Sequence, residues 1–317
     1  VTSIADDSKQ NMAMNRRLLC IFSHIRFLQY ADCKQSQVEL LKTNITSRRC
    51  FSSDDRVITS GKLQVNGVDF HYEQAGNGLH TLLLLPGALG CSQTDFQPQL
   101  KGLSLDKYRI IALDPRGYGK SRPPERNWPL LFYQRDAEDC ANFMKALEIP
   151  RYSVLGWSDG GITGMILAAT HPESLQRLVI WGANAYISKV DFELYKQVSN
   201  IDQWSARMKQ PFIDVYGEEY FRQLWQGWNN AINSYVTQRS GDLCIGSLPN
   251  IKCPTLIVNG LKDSMLSQEH PAFLKKHIAN SRIVDFPEGK HNLHLRYHKE
   301  FNAQVEEFLD EVLVVIT

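Results

Sequence analysis

The chain has 317 residues, of which 43% are hydrophobic and 22% charged, and its formal net charge is +1. This composition is that of an ordinary soluble globular protein. The balanced charge argues against nucleic acid or an anionic membrane as a partner, and no apolar run approaches the ~20 residues that span a bilayer. The seven cysteines include no C-x-x-C pair, so we expect free thiols in a reducing compartment and no metal site.

Residues 1–60 differ in composition from the rest of the chain. Seven Lys or Arg residues lie between residues 14 and 51, against two acids. A basic, acid-poor N-terminus that contains Ser and Thr is typical of a mitochondrial transit peptide. We therefore expect residues 1–60 to be a presequence that is disordered or removed, and the protein to be mitochondrial. A basic tail without a targeting role is the alternative.

From Gly61 onward, short apolar runs alternate with longer amphipathic ones. Asn66-Gly67 predicts a tight turn between two antiparallel strands. Six apolar strands follow, separated by helical stretches, and they are predicted at residues 81–85, 108–113, 152–155, 178–181, 255–259 and 282–286. An antiparallel hairpin followed by alternating strands and helices predicts an α/β fold with a mostly parallel, doubly wound sheet of eight strands.

One interval breaks this alternation. Some seventy residues between Trp181 and Thr255 contain no convincing strand and are rich in Trp and Tyr. A structureless loop of that length is improbable inside a compact domain. We therefore predict a helical cap at residues 183–250, inserted after strand 6, with residues 61–182 and 251–317 as the core. The cap is expected to cover the carboxyl ends of the strands, where ligands bind in open α/β sheets.

The most informative motif is Gly156-Trp-Ser-Asp-Gly160. It joins a predicted strand to a predicted helix, and its glycines permit the strained turn that exposes a serine hydroxyl. This pattern, G-x-S-x-G, is the nucleophile elbow, and it makes Ser158 the candidate nucleophile. A plain turn serine is the structural alternative.

A serine hydroxyl needs a base within hydrogen-bond reach and a carboxylate that orients the base. In this architecture the order along the chain is Ser, then Asp or Glu, then His. Asp263 and His291 follow the last two predicted strands in that order, so all three side chains are expected at one rim of the sheet. His294 competes with His291, but the Gly-x-His spacing favours His291.

The tetrahedral intermediate requires backbone N–H donors for its oxyanion. One donor is expected from Asp159, the residue after the nucleophile. The other is expected from the loop Pro86-Gly87-Ala88-Leu89-Gly90, which follows a predicted strand. Ala88 and Leu89 are equally suitable candidates, and the sequence does not separate them.

An acid directly after the nucleophile is unusual, because its charge lies beside the forming oxyanion. Asp159 has a structural explanation as a first-turn acid that stabilises a helix N-terminus. It has a functional explanation if the substrate carries a cation. At an effective dielectric near 20, a charge pair ~4 Å apart gains on the order of 4 kcal/mol before desolvation, which would favour esters with an α-ammonium group.

Together these residues resemble the biphenyl hydrolase-like group of the α/β-hydrolase superfamily, over about residues 65–309. The motifs that carry the resemblance include Leu84-Leu-Pro-Gly87, Asp114-Pro-Arg-Gly-Tyr-Gly119, Gly156-Trp-Ser-Asp-Gly-Gly-Ile-Thr163, Trp181-Gly-Ala-Asn-Ala-Tyr186 and Glu288-Gly-Lys-His-Asn-Leu-His-Leu-Arg296. The resemblance implies a serine hydrolase of α-amino acid esters with a mitochondrial presequence. It implies Ser158, Asp263 and His291 as the triad and Asp159 as the residue that recognises the substrate amine.

We thus predict a cofactor-independent serine esterase that acts as a monomer on a small-molecule α-amino acid ester, without a bound metal. A carboxylesterase, thioesterase or C–C bond hydrolase of the same fold, without amine selectivity, is the first alternative. A non-catalytic binding module on the same fold is the second.

Overall fold

The computed structural model describes residues 57–311. The expected presequence, residues 1–60, therefore lies outside the described residues except for its last four. Eight strands form one sheet, and they are β1 (Ile58–Val65), β2 (Val68–Ala75), β3 (His80–Leu85), β4 (Tyr108–Leu113), β5 (Tyr152–Trp157), β6 (Leu175–Trp181), β7 (Thr255–Gly260) and β8 (Ser281–Phe286). The sheet begins three residues before the core boundary predicted at Gly61, because Ile58 to Ser60 pair with β2.

Ten α-helices accompany the strands of the described region. They are α1 (Ser92–Asp95), α2 (Gln97–Gly102), α3 (Phe132–Ala146), α4 (Asp159–Thr170), α5 (Lys189–Val198), α6 (Ala206–Tyr216), α7 (Glu218–Arg239), α8 (His270–His277), α9 (Leu293–Arg296) and α10 (His298–Asp310). No helix in residues 57–311 is both long enough and apolar enough to cross a membrane.

The strand order is β1-β2-β4-β3-β5-β6-β7-β8. β1, β2 and β4 pair antiparallel, and every pairing from β4 to β8 is parallel. Asn66 and Gly67 have positive φ, 50° and 75°, as the tight turn between β1 and β2 requires. The predicted α/β fold with a mostly parallel eight-stranded sheet is confirmed.

The sheet is covered on both faces, which explains why its inner strands are apolar throughout. Successive side chains of a strand point to opposite faces. In β3, Leu83 and Leu85 pack into the hydrophobic cluster formed with α3, α4 and residues 183–250, whereas Leu82 and Leu84 pack into the cluster formed with α2 and α10. All four leucines are buried. This arrangement leaves the carboxyl ends of β3, β5, β7 and β8 to place functional loops at one edge.

The segment between β6 and β7 contains α5, α6 and α7 and no strand; we call residues 183–250 the cap. Its helices pack through aromatic rings. Trp204 lies edge-to-face on Trp225 with centroids 4.8 Å apart, Trp225 stacks on Trp228 at 4.9 Å, and Phe212 stacks on Phe221 at 5.2 Å. Such pairs add to the free energy gained from area burial. The Trp and Tyr content noted in the sequence therefore has a packing role.

Candidate active site

Ser158 lies at the turn between β5 and α4, with φ 53° and ψ −119°. This backbone conformation is rare for a residue with a side chain and is found at functional sites. The turn is tight enough to require the flanking glycines. A Cβ at Gly156 would lie 2.4 Å from the carbonyl oxygen of Gly160, and a Cβ at Gly160 would lie 2.1 Å from that of Leu85. The elbow motif thus folds as its glycines predict.

The structure brings Ser158, His291 and Asp263 together. Nε2 of His291 lies 3.2 Å from Oγ of Ser158, and Nδ1 of His291 lies 2.8 Å from Oδ2 of Asp263. Asp263 follows β7 and His291 follows β8, so both reach Ser158 from the carboxyl ends of neighbouring strands. The indole N–H of Trp157 donates to the carbonyl oxygen of His291 at 2.8 Å and fixes the loop.

This geometry suits general-base catalysis. With Asp263 accepting a hydrogen bond from the Nδ1–H group, His291 holds the tautomer whose Nε2 lone pair faces Ser158. Gly182 leaves room for the imidazole, because a Cβ there would approach its Cε1 to 2.9 Å. The side chains of His291 and Asp263 are 19% and 8% exposed. The imidazole of His291 is therefore accessible to substrate, whereas the carboxylate of Asp263 is largely shielded from solvent.

His294, the competing histidine, is buried, and both of its ring nitrogens bond to groups other than Ser158. Its Nδ1 accepts the indole N–H of Trp181 at 2.9 Å, and its Nε2 lies 3.1 Å from the carbonyl oxygen of Asp95. Burial lowers the pKa of His294 to about 3. It is therefore a neutral packing residue that ties β6 to α1.

The loop Pro86–Gly90 contains a turn that lies against the elbow. The N–H of Gly90 donates to the carbonyl oxygen of Gly87 at 3.0 Å, and Leu89 has φ 61°. A Cβ on Gly87 would touch Cβ of Ser158 at 3.4 Å. Within residues 57–311, the backbone N–H groups of Ala88, Leu89 and Asp159 have no hydrogen-bond acceptor, so all three predicted oxyanion donors are free to bind an anion.

Asp95 supports this loop from the core. Its Oδ2 accepts the N–H of Gly87 at 3.1 Å, and its Oδ1 accepts the hydroxyl of Thr94 at 2.7 Å. Gly90 must be a glycine, because a Cβ there would lie 1.9 Å from Oδ2 of Asp95. Burial raises the pKa of Asp95 to about 7, and the two hydrogen bonds oppose that rise. Sequence reasoning did not assign Asp95 a role.

The carboxylate of Asp159 is held by two neutral donors. Oδ1 accepts the hydroxyl of Tyr133 at 2.9 Å, and Oδ2 accepts the indole N–H of Trp228 at 2.9 Å. Burial raises the pKa of Asp159 to about 6, while the bonds from Tyr133 and Trp228 and the charge of Arg126 act in the opposite direction. None of the Lys, Arg or His side chains in the described part of the chain lies within 4.0 Å of this carboxylate.

The two donors to Asp159 come from distant parts of the chain. Tyr133 lies in α3 of the core and Trp228 in α7 of the cap, so the carboxylate lies where cap and core meet. Sequence reasoning missed both residues, and the aromatic content of the cap was the only signal that pointed towards Trp228. Among residues 57–311, no group of three or more His, Cys, Asp or Glu side chains has the arrangement of metal ligands.

Comparisons with known proteins agree with this architecture. Residues 80–214 match the α/β hydrolase fold family. The chain is 44% identical over 279 residues to serine hydrolase BPHL of Mus musculus, covering 86% of this chain and 96% of that protein. It is 47% identical over 252 residues to serine hydrolase BPHL of Homo sapiens, covering 80% and 87%.

A solved structure shows the same fold at lower identity. The α/β hydrolase fold protein from Chitinophaga pinensis superposes with a TM-score of 0.66 at 21% identity, covering 82% of this chain and 100% of that one. Because this identity is low, the structural similarity shows the fold alone. The two BPHL relatives show the family. The chain is a hydrolase and belongs to the BPHL family of serine hydrolases within the α/β-hydrolase superfamily.

Proposed function

We propose that this chain hydrolyses esters of α-amino acids through an acyl-enzyme on Ser158. One observation carries the amino acid specificity. A carboxylate, Asp159, directly follows the nucleophile, and both of its oxygens are held by neutral donors, with no cationic side chain of residues 57–311 paired to it. An α-ammonium group lies one carbon from the scissile carbonyl, so a substrate bound at Ser158 would bring its cation to this carboxylate.

The proposed reaction has two halves. Oγ of Ser158 attacks the ester carbonyl as its proton passes to Nε2 of His291, whose other nitrogen is held by Asp263. The oxyanion is stabilised by the N–H of Asp159 and an N–H of the Pro86–Gly90 loop. The intermediate collapses, and the alcohol leaves with the proton of His291. Water, deprotonated by His291, then attacks the acyl-enzyme, and the second intermediate collapses to the amino acid as His291 returns the proton to Oγ of Ser158.

Asp159 acts on selectivity by charge pairing. Its oxygens accept hydrogen bonds from Tyr133 and Trp228, which lower its pKa against the effect of burial and so favour the charged form. A pair of charges ~4 Å apart at an effective dielectric near 20 gains about 4 kcal/mol before desolvation. After the desolvation cost, we expect about 10–100-fold in kcat/KM for the ammonium-bearing ester.

Three esters of one alcohol test this proposal: a valine ester, its N-acetyl derivative and the ester of the corresponding 2-hydroxy acid. The hydroxy ester keeps the size of the acyl group and removes the charge. We expect the valine ester to have the highest kcat/KM by about 10–100-fold. Equal values for the valine and hydroxy esters would contradict amine recognition and would favour the alternative of an esterase, thioesterase or C–C bond hydrolase without amine selectivity.

We also propose that the protein is delivered to mitochondria, on the composition of residues 1–60 alone. A fluorescent protein fused after residues 1–60 is expected in mitochondria. The same fusion, with the arginines of residues 1–60 replaced by glutamine, is expected in the cytosol. Diffuse fluorescence from the unaltered fusion would contradict the proposal.

A further inference from the structure

Tyr216, the last residue of α6, places its hydroxyl against the Pro86–Gly90 loop. The hydroxyl donates to the carbonyl oxygen of Leu89 at 2.7 Å and accepts the N–H of Gly119 at 2.9 Å. The side chains of Tyr216 and Leu89 are both buried. This contact is a direct hydrogen bond from the cap to the loop that carries the candidate oxyanion donors.

The hydrogen bond from Tyr216 is connected to a second hydrogen bond within the turn. The carbonyl of Leu89 shares a peptide plane with the N–H of Gly90, and that N–H donates to the carbonyl oxygen of Gly87 at 3.0 Å. The carbonyl of Gly87 in turn shares a peptide plane with the N–H of Ala88. In a trans peptide the N–H points opposite to the C=O, so the N–H of Ala88 points out of the turn.

The hydrogen bonds in this series all donate in the same direction. The series begins at the N–H of Gly119, passes through the Tyr216 hydroxyl and the turn, and ends at the N–H of Ala88. Successive hydrogen bonds in a low-dielectric interior polarise one another. The free N–H at the end of such a chain is therefore a better donor to an anion. The series therefore distinguishes the two candidates for the second oxyanion donor, because it ends at the N–H of Ala88 and not at that of Leu89.

The loop is also held on its other side. Oδ2 of Asp95 accepts the N–H of Gly87 and lies directly against Gly90. Asp95 thus fixes the start of the turn from the core, and Tyr216 fixes its end from the cap. Removal of the Tyr216 hydroxyl would release only the second restraint.

We propose that Tyr216 is a positioning residue through which the cap holds the oxyanion loop in its catalytic geometry, with Ala88 supplying the N–H. This inference rests on the proposed serine mechanism. Because the bound ester carries no oxyanion and the negative charge develops only as the tetrahedral intermediate forms, a misaligned donor lowers kcat and leaves KM nearly unchanged. A residue that merely packed the cap would change the stability of the fold without this separation of kcat from KM.

The test compares Tyr216→Phe with Tyr220→Phe. Both rings lie over the guanidinium of Arg122, at 5.0 and 4.9 Å, but the hydroxyl of Tyr220 accepts the N–H of Arg126 and does not touch the loop. With a p-nitrophenyl ester that lacks an amine, we expect Tyr216→Phe to lower kcat about 10-fold with KM within about 2-fold. Tyr220→Phe is expected to retain wild-type kcat.

Two further measurements test the role of the Tyr216 hydroxyl independently of the kcat comparison. A trifluoromethyl ketone, which forms a tetrahedral adduct with the serine, should bind Tyr216→Phe about 10-fold more weakly than wild type. If Tyr216→Phe does not fold, fluorotyrosines at position 216 retain the hydroxyl and make it a stronger donor in steps. In that series kcat is expected to vary with donor strength at constant KM.

Equal kcat and inhibitor affinity in the two phenylalanine variants, or no dependence on fluorination, would overturn the inference. Failure of the serine mechanism itself is seen separately, in the comparison of the wild-type chain with Ser158→Ala on the same ester. Failure of amine recognition does not affect the result, because the substrate carries no amine.

Discussion

Ser158 has two differently built surroundings. On one side His291 and Asp263 reach it from loops that follow neighbouring parallel strands, so both side chains are positioned by the core. On the other side Asp159 is held by Tyr133 from the core and Trp228 from the cap. The bond-making groups therefore depend on the core, whereas the group proposed to select the substrate depends on how cap and core meet.

This difference separates chemistry from selectivity. Under the proposed function, a change in the cap would alter which substrates are preferred while Ser158, His291 and Asp263 keep their geometry. The Tyr216 contact is the proposed exception, because it joins the cap to the Pro86–Gly90 loop. Variation of a loop or insertion over a constant scaffold is a general route to new specificity. The predictions below act on one side of Ser158 at a time.

The largest expected effect is on the triad side. Ser158→Ala removes the nucleophile, and we expect kcat to fall by about 10⁴-fold or more for every ester, with or without an amine. Labelling by a fluorophosphonate probe should vanish in the same variant. Thermal unfolding of the variant is the control for folding. Labelling that persisted in Ser158→Ala would place the nucleophile elsewhere.

The second prediction concerns pH and the Asp159 side. The pKa of Asp159 is raised to about 6, so the carboxylate is neutral below that pH and charged above it. The ratio of kcat/KM for the valine ester to that for the hydroxy ester should therefore rise about 10-fold from pH 5 to pH 7. Ionisations that affect both substrates cancel in this ratio. A flat ratio would mean that the charge of Asp159 plays no part in selectivity.

A smaller effect is expected from the cap residue that holds Asp159. Trp228→Phe keeps an aromatic ring and removes the N–H that donates to Oδ2 of Asp159. The selectivity ratio should fall about 5-fold, since a hydrogen bond to a charged group is lost. Trp225→Phe is the matched control, because Trp225 stacks on Trp228 but donates to the carbonyl oxygen of Val198. Equal ratios in the two variants would contradict a role for Trp228.

The fold and the proximity of Ser158, Asp263 and His291 were predictable from the sequence because their signals are local. Apolar runs give the buried strands, Asn66-Gly67 gives the hairpin, and glycines around Ser158 give the elbow, since a side chain at Gly156 or Gly160 would collide with backbone. Strand ends at one edge then bring Asp263 and His291 close to Ser158, although the three are far apart in the chain.

The remaining features were not predictable, because they rest on contacts between distant elements. Tyr133, Trp228 and Tyr216 are ordinary aromatic residues in helices, and their roles follow only from which carboxylate or carbonyl their polar atoms meet. The role of Asp95 is equally hidden, since its carboxylate meets the oxyanion loop eight residues back along the chain at Gly87. Such pairings are set by how helices pack, and no motif in the sequence encodes them.

The most direct test of the central claim is a comparison of two enzymes on two substrates. The kcat/KM values of the valine ester and the matched 2-hydroxy ester are measured in the wild-type chain and in Asp159→Asn, which keeps the shape of the side chain and removes its charge. We predict that the wild-type preference for the amine, about 10–100-fold, is nearly lost in Asp159→Asn while the hydroxy ester is turned over at a similar rate by both enzymes. An amine preference of the same size in both enzymes would show that Asp159 does not recognise the substrate cation.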